Sequence, residues 1–168
     1  LGRPLESIRL ALKRIVESRE DVRIVYPAHL NPEVQATVRR ALEGVPRIVL
    51  ADPLDYVSLV HVMKRCYLVL TDSGGIQEEA PEMGKPVLVL REVTERPEAV
   101  RAGTVRIIGT VADRIVGEVE SLLGDAAAYD RMARSANPYG DGHAAERIVG
   151  ALLGRQCTPF RPAVSEDG

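Results

Sequence analysis

The period of the apolar positions changes along the chain, and each change marks an element. Leu5, Ile8, Leu12, Ile15 and Val16 recur at helical spacing, which predicts an amphipathic helix over residues 4–18 with Pro4 in its first turn. Residues 22–26 form a short, largely β-branched run closed by Pro27, the pattern of a strand. Asn31-Pro32 supplies an N-cap followed by proline at the first helical position, and the helix runs to about Glu43, where Gly44 stops it. Strands are predicted again at 47–50, 67–70, 87–90 and 104–108. Helices are predicted at 56–65, 75–83, a short one from Pro97, then 112–123, 126–134 and 142–153. Pro81 removes a donor inside the 75–83 helix, so a kink is expected there.

The strands are short and apolar without alternation, and helices separate them. That combination predicts a parallel sheet covered on both faces. Five strands with crossover helices make a doubly wound, Rossmann-like α/β unit, expected over residues 1–154. Residues 155–168, with Pro159, Pro162 and the ending Ser-Glu-Asp-Gly, show no periodicity and are expected to form a flexible tail.

Composition narrows the function classes. Apolar residues make up 45% of the 168, enough for a core, while aromatics make up only 4%, so that core must be aliphatic. With 22 basic and 24 acidic residues the formal net charge is −2, without the basic excess a nucleic-acid footprint needs. No apolar run approaches the length of a membrane span, and no signal-peptide pattern opens the chain. The two cysteines, Cys66 and Cys157, lie far apart and outside any metal-ligand spacing; a reduced, cytoplasmic protein is the simplest account. The chain opens without Met and almost directly in a helix, which leads us to expect a piece of a longer protein.

The candidate chemistry lies in residues 71–81, TDSGGIQEEAP, at the end of a predicted buried strand. Ligands of such sheets bind beyond the carboxyl ends of the strands. The first N–H groups of the following helix lack internal partners and carry partial positive charge, so phosphate oxygens fit there. Gly74 and Gly75 remove side chains that would block the approach, and Ser73 adds a hydroxyl donor. The stretch is neither a GxxxxGK[ST] loop nor a GxGxxG fingerprint. A carboxylate one turn on can accept from the vicinal hydroxyls of a ribose. Adjacent helical residues point about 100° apart, so only one of Glu78 and Glu79 can face the ligand. Phosphate beside ribose means a nucleotide. Ser-Gly-Gly after a strand also serves as a plain turn and cap, and on this stretch alone both readings stand.

The chain resembles the C-terminal half of the non-hydrolysing UDP-N-acetylglucosamine 2-epimerases. The resemblance lies in YPAHLNP at 26–32, DPLDY at 52–56, LTDSGGIQEEAPEMGKPVLVLREVTERPEAV at 70–100, AGTVRIIGT at 102–110 and NPYGDG at 137–142. It implies a GT-B-like protein of two Rossmann-like domains with the active site in the cleft between them. The implied reaction is the reversible conversion of UDP-GlcNAc to UDP-ManNAc, by elimination and re-addition of UDP, with no metal or redox cofactor. It places the diphosphate on Ser73, Gly74 and Gly75, the ribose on Glu79, and the Arg96 guanidinium on the phosphates. Leu54 and Leu59 match positions that contact uracil, although Leu59 equally fits the core face of its helix. His29 matches a histidine of the active-site cleft, or orders the PAHLNP turn. The catalytic carboxylates of the family belong to an N-terminal domain, the partner expected here, and the full-length protein is expected to be a homodimer acting in polysaccharide biosynthesis. Two further readings are kept: a module that holds UDP or a UDP-sugar without turnover, and a glycosyltransferase domain of GT-B type.

Overall fold

The computed structural model describes residues 3–27 and 31–161. Five strands alternate with helices in the order α1 (Arg3–Ser18), β1 (Ile24–Pro27), α2 (Pro32–Leu42), β2 (Ile48–Ala51), α3 (Tyr56–Arg65) and β3 (Val69–Thr71). They continue as α4 (Gly74–Glu82), β4 (Val87–Val89), α5 (Pro97–Arg101), β5 (Val105–Ile107), α6 (Ala112–Gly124), α7 (Ala126–Ala133) and α8 (Ala144–Leu152). All recorded pairings are parallel: β1 with β2, from Ile24↔Ile48 to Pro27↔Ala51, and β4 between β3 and β5. No ladder joins the two groups among the described residues. They meet through packing, because Leu70 of β3 enters the same apolar cluster as Ile24 and Tyr26 of β1.

The alternation of side chains across β4 divides the core. Leu88 points to one face, where Ile15 of α1, Ile115 and Leu122 of α6 and Met132 of α7 cover it. Val87 and Val89 point to the other, where Met63 of α3, Ala80 of α4 and Ala99 of α5 cover them. The two valines and the leucine of β4 are fully buried, as a central parallel strand requires. Ser7 of α1 accepts from the Ala112 amide at 2.9 Å, and Arg14 meets Asp113 at 2.6 Å, so the first helix fastens the start of α6.

Over β1 and β2 the expectation of two covered faces fails. Ile24, Tyr26, Ile48 and Leu50 pack on α1 and α2, but Val25 and Val49 face the other way and remain 46% and 53% exposed. Helices α3, α4 and α5 gather over β3–β5 and leave this patch open.

Element ends differ from expectation by one or two residues, with local causes. Arg47 lies at φ 64, in the left-handed region closed to a strand, and its guanidinium bonds to the Val16 carbonyl at the end of α1. Strand β2 therefore starts one residue later. Pro81 lies inside α4, which runs only one residue beyond it; the Pro81 carbonyl accepts from Gly84 at 2.9 Å, and Gly84 closes the turn at φ 65. Residues 155–161 form neither helix nor strand, yet Arg147 donates to the Thr158 carbonyl at 2.8 Å and Cys157 contacts α8 at the Arg147 carbonyl. No helix of the described residues is long and apolar enough to cross a membrane.

Candidate functional site

Because the strands run parallel, their carboxyl ends share one rim, where the loops after β2, β3, β4 and β5 open among the described residues. The loop after β3 is the shortest: Asp72 and Ser73 separate Thr71 from the first residue of α4. The Thr71 hydroxyl accepts from the Ser73 amide at 3.0 Å and turns the chain into the helix. Ser73 takes the N-cap position, with φ −80 and ψ 128, but its side chain caps nothing. The first amide of α4 region to find an intrahelical acceptor is that of Gln77, on the Ser73 carbonyl at 3.3 Å. The amides of Gly74, Gly75 and Ile76 meet no acceptor among the described residues, which leaves the positive end of the helix unneutralised.

Glycine keeps that end accessible. A Cβ on Gly75 would find only the Ser73 hydroxyl, 4.0 Å away. On Gly74 it would sit 3.5 Å from Nη2 of Arg96. The Arg96 guanidinium therefore lies over the bare backbone, and the structure brings Ser73, Gly74, Gly75 and Arg96 together.

Two residues absent from the sequence expectations hold this arrangement. Gln77 is completely buried, and its amide spans the gap between loops. Its Nε2 donates to the Ser73 carbonyl at 3.2 Å, and its Oε1 accepts from the Thr94 hydroxyl at 2.6 Å. Thr94 in turn accepts from the Arg96 amide at 3.1 Å. The loop after β4 is thus latched to the loop after β3 by one chain of hydrogen bonds. A signal existed: Gln77 falls on the buried stripe of α4, beside Ala80 and Pro81, where an amide needs partners.

Glu78 and Glu79 diverge as helical geometry requires. Glu78 bonds through Oε1 to Nε of Arg96, which pushes the already high guanidinium pKa further up and keeps the charge in place. Glu79 is half-buried and its side chain makes no hydrogen bond or ion pair among the described residues. Leu54 lies half-buried in the loop after β2. Leu59 packs against the cluster of Met63 and Ala80, so its side chain belongs to the core between α3 and α4. His29 lies outside the described residues. Asp72 is exposed beside the cradle and, after burial, is the second cause raising the pKa of Tyr26 at the end of β1. His61 lies exposed on α3, its ring 3.4 Å from Arg65, and His143 contacts Glu146 at 3.1 Å; neither reaches the rim residues above.

The arrangement can receive a doubly charged anion: free amides, a hydroxyl, a guanidinium already aimed, and an unengaged carboxylate one turn away. Known proteins are similar to this chain in sequence and in fold. The family described as UDP-N-acetylglucosamine 2-epimerase matches residues 1–153. The UDP-N-acetylglucosamine 2-epimerase of Escherichia coli (strain K12) is 55% identical over 151 residues, which are 90% of this chain and 40% of that protein. That of Yersinia pestis is 53% identical over 157 residues, 94% of this chain and 42% of that protein. The chain thus spans 40–42% of the length of these curated relatives. Among solved structures, a co-structure of S. aureus MnaA with UDP superposes with a TM-score of 0.90 at 44% identity, covering 96% of this chain and 46% of that one. A UDP-GlcNAc 2-epimerase from Neisseria meningitidis bound to UDP-GlcNAc gives 0.86 at 41% identity, covering 92% and 42%. On the match over nearly its whole length, this chain belongs to the UDP-N-acetylglucosamine 2-epimerase family.

Proposed function

We propose that this chain is the UDP-binding half of an enzyme that interconverts UDP-GlcNAc and UDP-ManNAc. The observation that carries the reading is the uncapped start of α4, with three amides free and the Arg96 guanidinium over Gly74. An anion bound there gains both the helix terminus and a charge-assisted donor. The diphosphate of UDP takes that place, Glu79 accepts from the ribose hydroxyls, and the Leu54 loop contacts uracil, with Leu59 supporting from the core. His29 contributes at the cleft.

The chemistry follows from where charge develops. Removal of the C2 proton and rupture of the bond between C1 and the phosphate oxygen give 2-acetamidoglucal and UDP. The departing oxygen carries the electron pair of the broken bond, and fixed amides and a guanidinium stabilise that charge without reorganisation. Return of UDP to C1, with a proton added to the other face of C2, inverts that carbon. The groups that move the C2 proton must lie within hydrogen-bond reach of it. We assign them to an N-terminal domain of the same protein, which closes over residues 1–154 of this one. The full-length protein works as a homodimer in the cytoplasm.

Calorimetric titration of UDP tests the cradle. Saturable binding is expected, weakened on the order of tenfold by Glu79→Ala through loss of the ribose acceptor. A wild-type chain that releases no heat overturns the assignment. For the full-length enzyme, UDP-GlcNAc incubated in heavy water is expected to gain deuterium at C2; no exchange would exclude epimerisation.

A further inference from the structure

We propose that Glu78 is a positioning residue for the anion site, holding the Arg96 guanidinium at an angle that presents Nη2 to the bound phosphate. The proposal rests on the reading of α4 as the UDP site and goes beyond it, since the ribose and the diphosphate leave Glu78 without a ligand contact.

The guanidinium is a planar fork whose nitrogens are not equivalent. Glu78 engages Nε, Nη1 lies 3.4 Å from the Glu95 carbonyl, and Nη2 is left over the Gly74 backbone with no acceptor among the described residues. The carboxylate thus fixes the plane and spares the donor that faces the cradle. The backbone under this side chain is fixed as well, through the Arg96 amide on Thr94 and Thr94 on the buried Gln77. An arginine stem has several free torsions, and ordering it during binding weakens affinity. Here it is ordered beforehand.

Fold stability does not explain the pair. Its side chains are 34% and 39% exposed, and ion pairs so open to water contribute little. The surroundings of the pair are packed on one side. Tyr139, from the NPYGDG segment, packs into the cluster beneath α4, with its hydroxyl buried and no hydrogen bond of good geometry among the described residues. Burial pushes the Tyr139 pKa up, aided by the Glu98 and Glu78 carboxylates, while the Arg96 guanidinium and the Ala99 amide pull it down. The Tyr139 ring thus lies near both members of the pair.

The test is a double-mutant cycle on the full-length enzyme, reading the dissociation constant of UDP by calorimetry. Glu78→Gln is expected to weaken UDP binding on the order of tenfold, and to add nothing once Arg96→Ala is present. Arg96→Lys, which keeps the charge but has no fork to aim, is expected to lose about as much as Glu78→Gln; it serves as the decisive variant if Glu78→Gln does not fold. UDP binding unchanged or tightened by Glu78→Gln overturns the proposal, as does an equal loss from Glu78→Gln with and without Arg96. Arg96→Lys that binds like wild type overturns it too. If the wild-type enzyme binds no UDP, the reading of the site itself falls, and the proposal with it.

Discussion

Helices α3 and α4 both begin on the carboxyl rim of the sheet, and they begin differently. At α3 the Asp55 carboxylate accepts from the Ser58 amide at 2.9 Å and from its hydroxyl at 2.8 Å. These bonds hold the Asp55 pKa below its ordinary value, the amide first and the hydroxyl second. At α4 the residue in the same position is Ser73, whose side chain accepts nothing, and the next two positions are glycines. One helix start is completed by the protein's own anion. The other is left uncapped, at some cost to local stability, and under the proposed function an anion from outside completes it. What distinguishes them is three residues of sequence: Asp-Tyr-Val against Ser-Gly-Gly.

The comparison breaks most sharply if α4 is given the cap of α3. In Ser73→Asp the new carboxylate can accept from the free amides, the groups assigned to phosphate, and it adds a like charge within about 4 Å of the diphosphate. UDP affinity is expected to fall by at least on the order of a hundredfold, while the thermal midpoint stays level or rises. Calorimetry and a melting curve on the same preparation separate the two effects. A Ser73→Asp protein that binds UDP normally would place the anion somewhere else.

The reverse change is smaller. Asp55→Ala leaves the first amides of α3 without their acceptor but keeps the cradle intact. The melting midpoint is expected to drop by roughly a few degrees, with UDP affinity within about twofold of wild type. A tenfold loss of affinity with an unchanged midpoint would mean that Asp55 serves the ligand and not the helix.

Much of this contrast could be read from the sequence, because its causes are local. Helical period, proline and glycine placement, and β-branched runs located every helix and strand within one or two residues. The open start of α4 was legible for the same reason: a strand end, two glycines and a helix start are adjacent in the chain. The latch behind it was not. Gln77 and Thr94 are 17 residues apart, and only the fold shows that a buried amide joins their loops. The exposed Val25 and Val49 were equally hidden, since an apolar strand residue says nothing of which helix arrives to cover it. Arg47 escaped notice because nothing in Pro-Arg-Ile announces a left-handed residue. What stays illegible is the long-range pairing that local physics permits without requiring.

The smallest expected effect is a pH dependence confined to one of the two helix starts. A carboxyl whose folded pKa is depressed stabilises the folded state fully above its unfolded value, and that contribution is lost as pH falls through the folded value. For Asp55 the ordinary value is 3.8 and the shift is downward. Wild type should therefore exceed Asp55→Asn in stability by a constant margin above about pH 5. The margin should shrink below 3.8 as the carboxylate takes up a proton and ceases to be the better acceptor. Urea unfolding of both proteins at a series of pH values measures the margin directly. The same series on Ser73→Ala should show no such acid step, since Ser73 has no proton to gain or lose in that range. A margin for Asp55→Asn that is flat down to pH 2 would mean that the Asp55 cap contributes nothing through its charge, and the contrast between the two helix starts would then rest on the glycines alone.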